Sequence, residues 1–224
     1  MVRVKVCGLT NADDALAVAA AGADMLGFIF FPGSRRYVTP EAARAILSAV
    51  RDRRPEVVAV GVFVNDPVDT VCQVLDFCGL QMAQLHGEEP PEQLGLGVAD
   101  HGPLRGRAFK ALRPRAAKAA ALEADRYALP PAVRGPHMPA LLLDSYGATQ
   151  RGGTGQVGDW VLAAALAARH PLLLAGGLKP ANVAQAVHAV HPWGVDVAGG
   201  VERVPGEKDH AAVRAFIAAA RSGL

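Results

Sequence analysis

Apolar residues along this chain fall into short blocks, each closed by a glycine or a polar side chain. Residues 24–31 (Asp-Met-Leu-Gly-Phe-Ile-Phe-Phe) carry no polar face, the pattern of a strand covered on both sides. Similar blocks recur at 4–7, 57–64, 82–87, 107–112, 140–145, 171–177 and 195–200. Between them, alanine-rich or amphipathic stretches predict helices at 12–22, from Thr39-Pro40-Glu41, up to Cys78, at 90–99 and 115–125, up to Arg169, and at 180–190 and 208–221. Thr39-Pro40 and Asn65-Asp66-Pro67 both read as a cap residue followed by proline at the first helical position. Four prolines make 126–139 an irregular loop.

Eight apolar strands alternating with helices in steps of roughly 25–30 residues predict an α/β fold, a single-domain (β/α)8 TIM barrel over residues 1–224. An open doubly wound sheet is the alternative, and eight units in this length count against it.

The nineteen residues 15–33, with Asp24 as their only charge, could pass by length for a membrane span. Ala21-Gly22-Ala23-Asp24 breaks the run into a helix-like and a strand-like half, so no membrane partner is expected. No apolar segment follows Arg3 and Lys5, so no signal peptide and a cytoplasmic location are expected. Half of the chain is apolar and a fifth charged, with a formal net charge of +2. That balance suits a globular protein and points to no nucleic-acid partner. Cys7, Cys72 and Cys78 form no C-x-x-C pair, which argues for a reducing compartment and against a disulfide scaffold or zinc site. Cys72 and Cys78 read as small core residues.

In a barrel the catalytic groups sit at the C-terminal ends of the strands. Those ends carry Cys7, Arg35 and Arg36, His86 and Asp144, and then the paired Ala175-Gly176-Gly177-Leu178 and Ala198-Gly199-Gly200-Val201. Glycines after strands seven and eight let backbone N–H groups approach an anion, which predicts a phosphate site at Gly176, Gly177, Gly199 and Gly200. Gly153 and Gly155, in Gly152-Gly153-Thr154-Gly155, would add a third wall.

Gly153 to Gly158 also matches the dinucleotide G-x-G-x-x-G pattern. It does not directly follow a strand, and position 179, where an acid is required, is Lys. His188 and His191 stand three apart on a helix without a third ligand, so no metal is expected.

Asp144 ends a wholly apolar strand, where burial and a neighbouring phosphate would both raise its pKa and suit it to act as a general acid. Cys7 needs the opposite tuning, a pKa lowered from about 8.5, to act as a base. Together they would make an acid–base pair for proton transfer, with Arg36 holding an anionic group by bidentate pairing. His86 is open between a substrate contact, an orienting residue and a core histidine.

Several segments resemble phosphoribosylanthranilate isomerases: Lys5-Val-Cys-Gly-Leu-Thr10, Gly27-Phe-Ile-Phe-Phe with Ser34-Arg-Arg-Tyr37, Gln84-Leu-His-Gly87, Leu142-Leu-Asp144, Gly152-Gly-Thr-Gly155 with Asp159-Trp160, Ala175-Gly-Gly-Leu178, Val195-Asp-Val, Gly200-Val-Glu and Pro205-Gly-x-Lys-Asp209. The matches run in order along essentially the whole chain.

The resemblance implies an Amadori rearrangement in tryptophan biosynthesis, without metal or organic cofactor, in a monomer or homodimer. It gives Asp144 the role of acid, Cys7 that of base, Arg36 that of ligand to the anthranilate carboxylate, and the glycine loops that of phosphate cradle. The chain departs from the family pattern at Ala198-Gly199, where Ser-Ser is common, and at Val157, where an aromatic is usual. Its 126–139 segment is also long. A related sugar-phosphate barrel would be expected to carry two aspartates, or a Lys and a Glu, in place of Cys7 and Asp144. A non-catalytic barrel that binds a phosphorylated ligand would need neither residue.

Overall fold

In β1 (Arg3–Cys7) every residue after Arg3 is buried, because both faces of the strand are covered. Val4 and Val6 join the apolar core shared with the helices, while Lys5 and Cys7 alternate with them and face the barrel axis. The computed structural model describes residues 1–96, 102–113, 117–135, 137–144 and 160–223.

The remaining barrel strands are β2 (Met25–Ile29), β3 (Val58–Phe63), β4 (Met82–Leu85), β5 (Ala108–Leu112), β6 (Leu141–Asp144), β7 (Leu172–Ala175) and β8 (Gly194–Val197). All neighbouring strands are parallel, and β8 returns to pair with β1, closing the sheet. The (β/α)8 TIM barrel is therefore the fold. Outside it lie α1 (Ala12–Ala20), α2 (Pro40–Arg51), α3 (Val68–Cys78), α4 (Ala117–Tyr127), α5 (Trp160–Ala167), α6 (Val183–Val190) and α7 (His210–Ser222). Among the described residues no helix is long and apolar enough to cross a membrane, and the 15–33 run divides between α1 and β2.

Local chemistry explains most boundaries. Thr39 caps α2 by accepting from the Ala42 N–H, with Pro40 at the first helical position. Asp209 does the same for α7, accepting from Ala211 and Ala212. The start of α3 differs from the expected cap-then-proline order. Pro67 is itself the cap and offers no side-chain bond, while the Asp66 carboxylate accepts from the Val64 N–H instead.

Of the helix expected over 90–99, the described residues form a single 3₁₀ turn, Pro91–Leu94, ended by Gly95 in a left-handed conformation, and residues 97–99 lie outside them. Between β8 and α7 the chain forms an unforeseen 3₁₀ turn, Gly199–Val201, and a hairpin of β9 (Glu202–Val204) with β10 (Glu207–Lys208). Cys78 is buried as expected, but Cys72 is only half-buried.

Candidate active site

The C-terminal ends of the strands surround a cavity of about 720 Å³. Cys7, Arg36, His86, Asp144 and both glycine loops line it together. Gly153 and Gly155 lie outside the described residues.

Cys7 ends β1, and its in-register partner on β2 is Gly27. A Cβ at Gly27 would lie 2.7 Å from the Cys7 Sγ and 3.0 Å from the Lys5 Nζ, so the glycine makes room for both groups. Lys5 is fully buried and pairs in register with Asp196 on β8, its Nζ 3.0 Å from the carboxylate.

Burial alone would lower the lysine's pKa, but Asp196 and the Cys7 sulfur outweigh it and hold it above its ordinary value. The expected lowering of the Cys7 pKa is not found. Burial pushes the thiol up, and Asp196 adds to this, against the opposing pull of Lys5 and Lys208.

His86 follows β4, and its Nδ1 lies 2.9 Å from the Gln84 Nε2. With the amide donating, the ring proton sits on Nε2, which points to Asp144 Oδ2 at 3.8 Å. Burial, followed by Arg113, Lys5 and Lys110, lowers the His86 pKa to about 4, so the imidazole is neutral at pH 7. It orients or hydrogen-bonds and does not form an ion pair. Gln84 Oε1 is buried beside the cavity and has no hydrogen-bond partner among the described residues.

Arg36 reaches the cavity from the loop after β2, and Glu202 grips its guanidinium from the side. Gly8, at φ +77°, leaves space for the arginine stem, since a Cβ there would sit 2.5 Å from Arg36 Cδ.

In the phosphate cradle, Gly176 and Gly177 both have positive φ. A Cβ at Gly200 would lie 1.9 Å from the carbonyl oxygen of Leu178, so the loops after β7 and β8 touch backbone to backbone.

Lys5, Gln84, Asp196, Glu202 and Lys208 join the site without having been expected there from the sequence pattern. A lysine and an aspartate inside apolar strands, each on the inward parity, were the available signal for Lys5 and Asp196. Among the described residues no three His, Cys, Asp or Glu side chains gather as a metal site.

Residues 4–219 match the family model of N-(5′-phosphoribosyl)anthranilate isomerase. The chain is 43% identical to the Pelobacter propionicus protein of that name over 99% of this chain and 96% of the relative. It is 47% identical to the Myxococcus xanthus protein over 99% and 97%. Among solved structures, the phosphoribosyl anthranilate isomerase of Thermotoga maritima superposes with a TM-score of 0.82 at 38% identity, each chain covered in full. A complex of such an isomerase with reduced 1-(o-carboxyphenylamino)-1-deoxyribulose 5-phosphate superposes at 0.79 and 37% identity, again with full coverage of both chains.

Proposed function

Because the chain belongs to the N-(5′-phosphoribosyl)anthranilate isomerase family, we propose that Asp144 and Cys7 are the acid and the base of that reaction here. The protein is an isomerase of tryptophan biosynthesis that converts N-(5-phosphoribosyl)anthranilate to 1-(2-carboxyphenylamino)-1-deoxyribulose 5-phosphate. The reading of its residues rests on one observation. A single cavity is lined by a carboxyl group, a thiol, an arginine and two glycine loops, all at strand ends.

Asp144 gives its proton to the ribose ring oxygen as the C1′–O bond breaks, and the amine lone pair makes the C1′=N iminium. Cys7 takes the proton from C2′, and the C–H electron pair neutralises the iminium to give an enolamine. The enolamine's C2′ hydroxyl then gives up its proton as C1′ takes one, which moves the double bond to oxygen and gives the ketone. The sequence is an internal redox exchange and needs no external oxidant or reductant.

Asp144 and Cys7 stand three strands apart around the barrel, on β6 and β1, so they reach the sugar from different sides. Burial keeps the Cys7 thiol up, and the iminium adds a positive charge beside it that favours the thiolate at the moment the base is required. His86, neutral and 3.8 Å from the Asp144 carboxyl group, stands beside the acid within the same cavity.

Arg36 binds the anthranilate carboxylate end-on. Gly176, Gly177, Gly199 and Gly200 bind the phosphate, whose binding energy aligns the reacting end. In this reading Gly153 and Gly155 complete the cradle, the whole chain is one domain without a cofactor, and it works in the cytoplasm as a monomer or homodimer.

The experiment is a fluorescence assay following loss of phosphoribosylanthranilate generated in situ. Asp144→Asn and Cys7→Ser should each lower turnover by about 10²–10⁴-fold, as removal of one acid–base partner does. Wild-type turnover in either variant would remove that residue from its role.

A further inference from the structure

Lys208, at the end of the hairpin after β8, is fully buried, and its ammonium hydrogens go to three different parts of the site. They reach the carbonyl of Cys7 at 2.7 Å, the carbonyl of Ala198 at 3.3 Å and Glu202 Oε1 at 2.6 Å. All three partners are acceptors, so the group must be an ammonium with all its hydrogens directed. Burial pulls its pKa below the ordinary lysine value and Glu202 opposes that pull.

The Glu202 side chain, 4% exposed, turns its carboxylate to Arg36, accepting from Nε at 2.9 and 3.0 Å and from Nη2 at 2.6 Å. Nη1 makes no hydrogen bond among the described residues. The hairpin that carries both residues is itself fastened down. Thr10 donates to the Gly206 carbonyl at 2.6 Å, and the Lys208 N–H donates to Asp14 at 2.8 Å.

A guanidinium offers two edges for bidentate pairing, the side-on edge at Nε and Nη2 and the end-on edge at Nη1 and Nη2. Glu202 takes the first, which fixes the plane of the group and leaves the second for an incoming carboxylate. Gly8 and Gly199 border the arginine closely, with Cβ positions 2.5 Å from Cδ and 3.2 Å from Nη2, so the side chain has little room to swing.

We propose that Glu202 and Lys208 are positioning residues for the substrate carboxylate: Lys208 anchors Glu202 to the ends of β1 and β8, and Glu202 aims the end-on edge of Arg36 into the cavity. One buried charge chain would then set the carboxylate ligand, the backbone of the base and the start of the phosphate loop relative to one another. The proposal rests on the reading of Arg36 as the carboxylate ligand.

The test is a double-mutant cycle of Arg36→Ala and Glu202→Gln. KM and kcat are measured for each protein, together with competitive inhibition by anthranilate and by inorganic phosphate. Glu202→Gln should raise KM and the anthranilate inhibition constant about tenfold, with kcat less affected and phosphate inhibition little changed. In the Arg36→Ala background the same substitution should add less than about twofold, because residues acting through one another are not additive.

Full additivity, or equal weakening of anthranilate and phosphate, would overturn the proposal. If Arg36→Ala itself leaves KM and anthranilate inhibition unchanged, the carboxylate reading fails and the proposal with it. Should Glu202→Gln not fold, Glu202→Asp takes its place in the cycle, since its shorter carboxylate keeps the charge beside Lys208 but draws back from Arg36.

Discussion

Lys5 and Asp196 form an ion pair of 3.0 Å inside the barrel, one residue layer beneath the Cys7 thiol. The lysine acts on the thiol through space, since its positive charge favours the thiolate while the aspartate's negative charge opposes it. Lys5→Met should therefore raise the Cys7 pKa further and slow its alkylation by iodoacetamide. At fixed pH, a shift of about one pKa unit would cut the rate about tenfold while the thiolate is the minor form. Mass spectrometry of the Cys7 peptide separates this site from Cys72 and Cys78. An unchanged alkylation rate would show that Lys5 serves only to neutralise Asp196.

The contact of Gly200 with Leu178 predicts a defect confined to the phosphate end. An alanine at 200 would drive its Cβ into a carbonyl 1.9 Å away, and no side chain can yield to relieve it, so the two loops must part. Gly200→Ala should weaken competitive inhibition by inorganic phosphate by about tenfold or more, while anthranilate inhibition changes little. Equal loss of both would mean that the cavity is one unit that cannot be divided by ligand.

Much of this architecture was legible in the chain. The strand blocks gave the barrel because a strand buried on both faces, repeated eight times between helices, has few other solutions. Cys7, His86 and Asp144 were visible because each interrupts or closes an apolar block, and Arg36 because it stands in the polar loop that follows one. What escaped was non-local. Glu202 and Lys208 lie 166 and 201 residues from their partners Arg36 and Cys7, and nothing in the local pattern separates a buried ion pair from a solvated one. The Cys7 pKa was misjudged for a related reason. Strand position reports that a residue lines the barrel mouth, whereas the balance of burial, Lys5, Asp196 and Lys208 depends on the folded geometry. The start of α3 was misread because Pro67 can occupy the cap itself, leaving Asp66 for the Val64 N–H.

His86 predicts a specific pH dependence of stability. Its folded pKa is about 4, below the 6.5 of a free histidine. Between those values the unfolded chain binds a proton that the folded protein refuses, so stability rises with pH across the window and is lost as pH falls through it. The full difference is on the order of 3 kcal/mol. Urea unfolding at intervals from pH 7 to pH 4 should show this slope in the wild type and a flatter one in His86→Gln. Loss of stability only below pH 4.5 in both proteins would assign the effect to carboxylates such as Glu89 and Glu202, which their partners hold below the usual range.

Glu89 and Lys110 support His86 from behind. The carboxylate accepts from Lys110 Nζ at 2.6 Å, from the Asn65 N–H at 2.8 Å and from the Gly87 N–H. Lys110 also donates to the Gly87 carbonyl at 2.6 Å, and Tyr127 donates to the Glu89 carbonyl at 3.0 Å. Both side chains are almost wholly buried. Glu89→Ala leaves the ammonium uncompensated and should cost about 3–5 kcal/mol. Glu89→Leu combined with Lys110→Met removes both charges and should recover part of that loss. It cannot recover the anchoring, because the Asn65 and Gly87 N–H groups still lose their acceptor. The double variant should therefore be more stable than Glu89→Ala in urea unfolding, yet turn over more slowly than wild type, because the loop holding His86 toward Asp144 is no longer pinned. Wild-type turnover in the double variant would show that the strands alone fix His86.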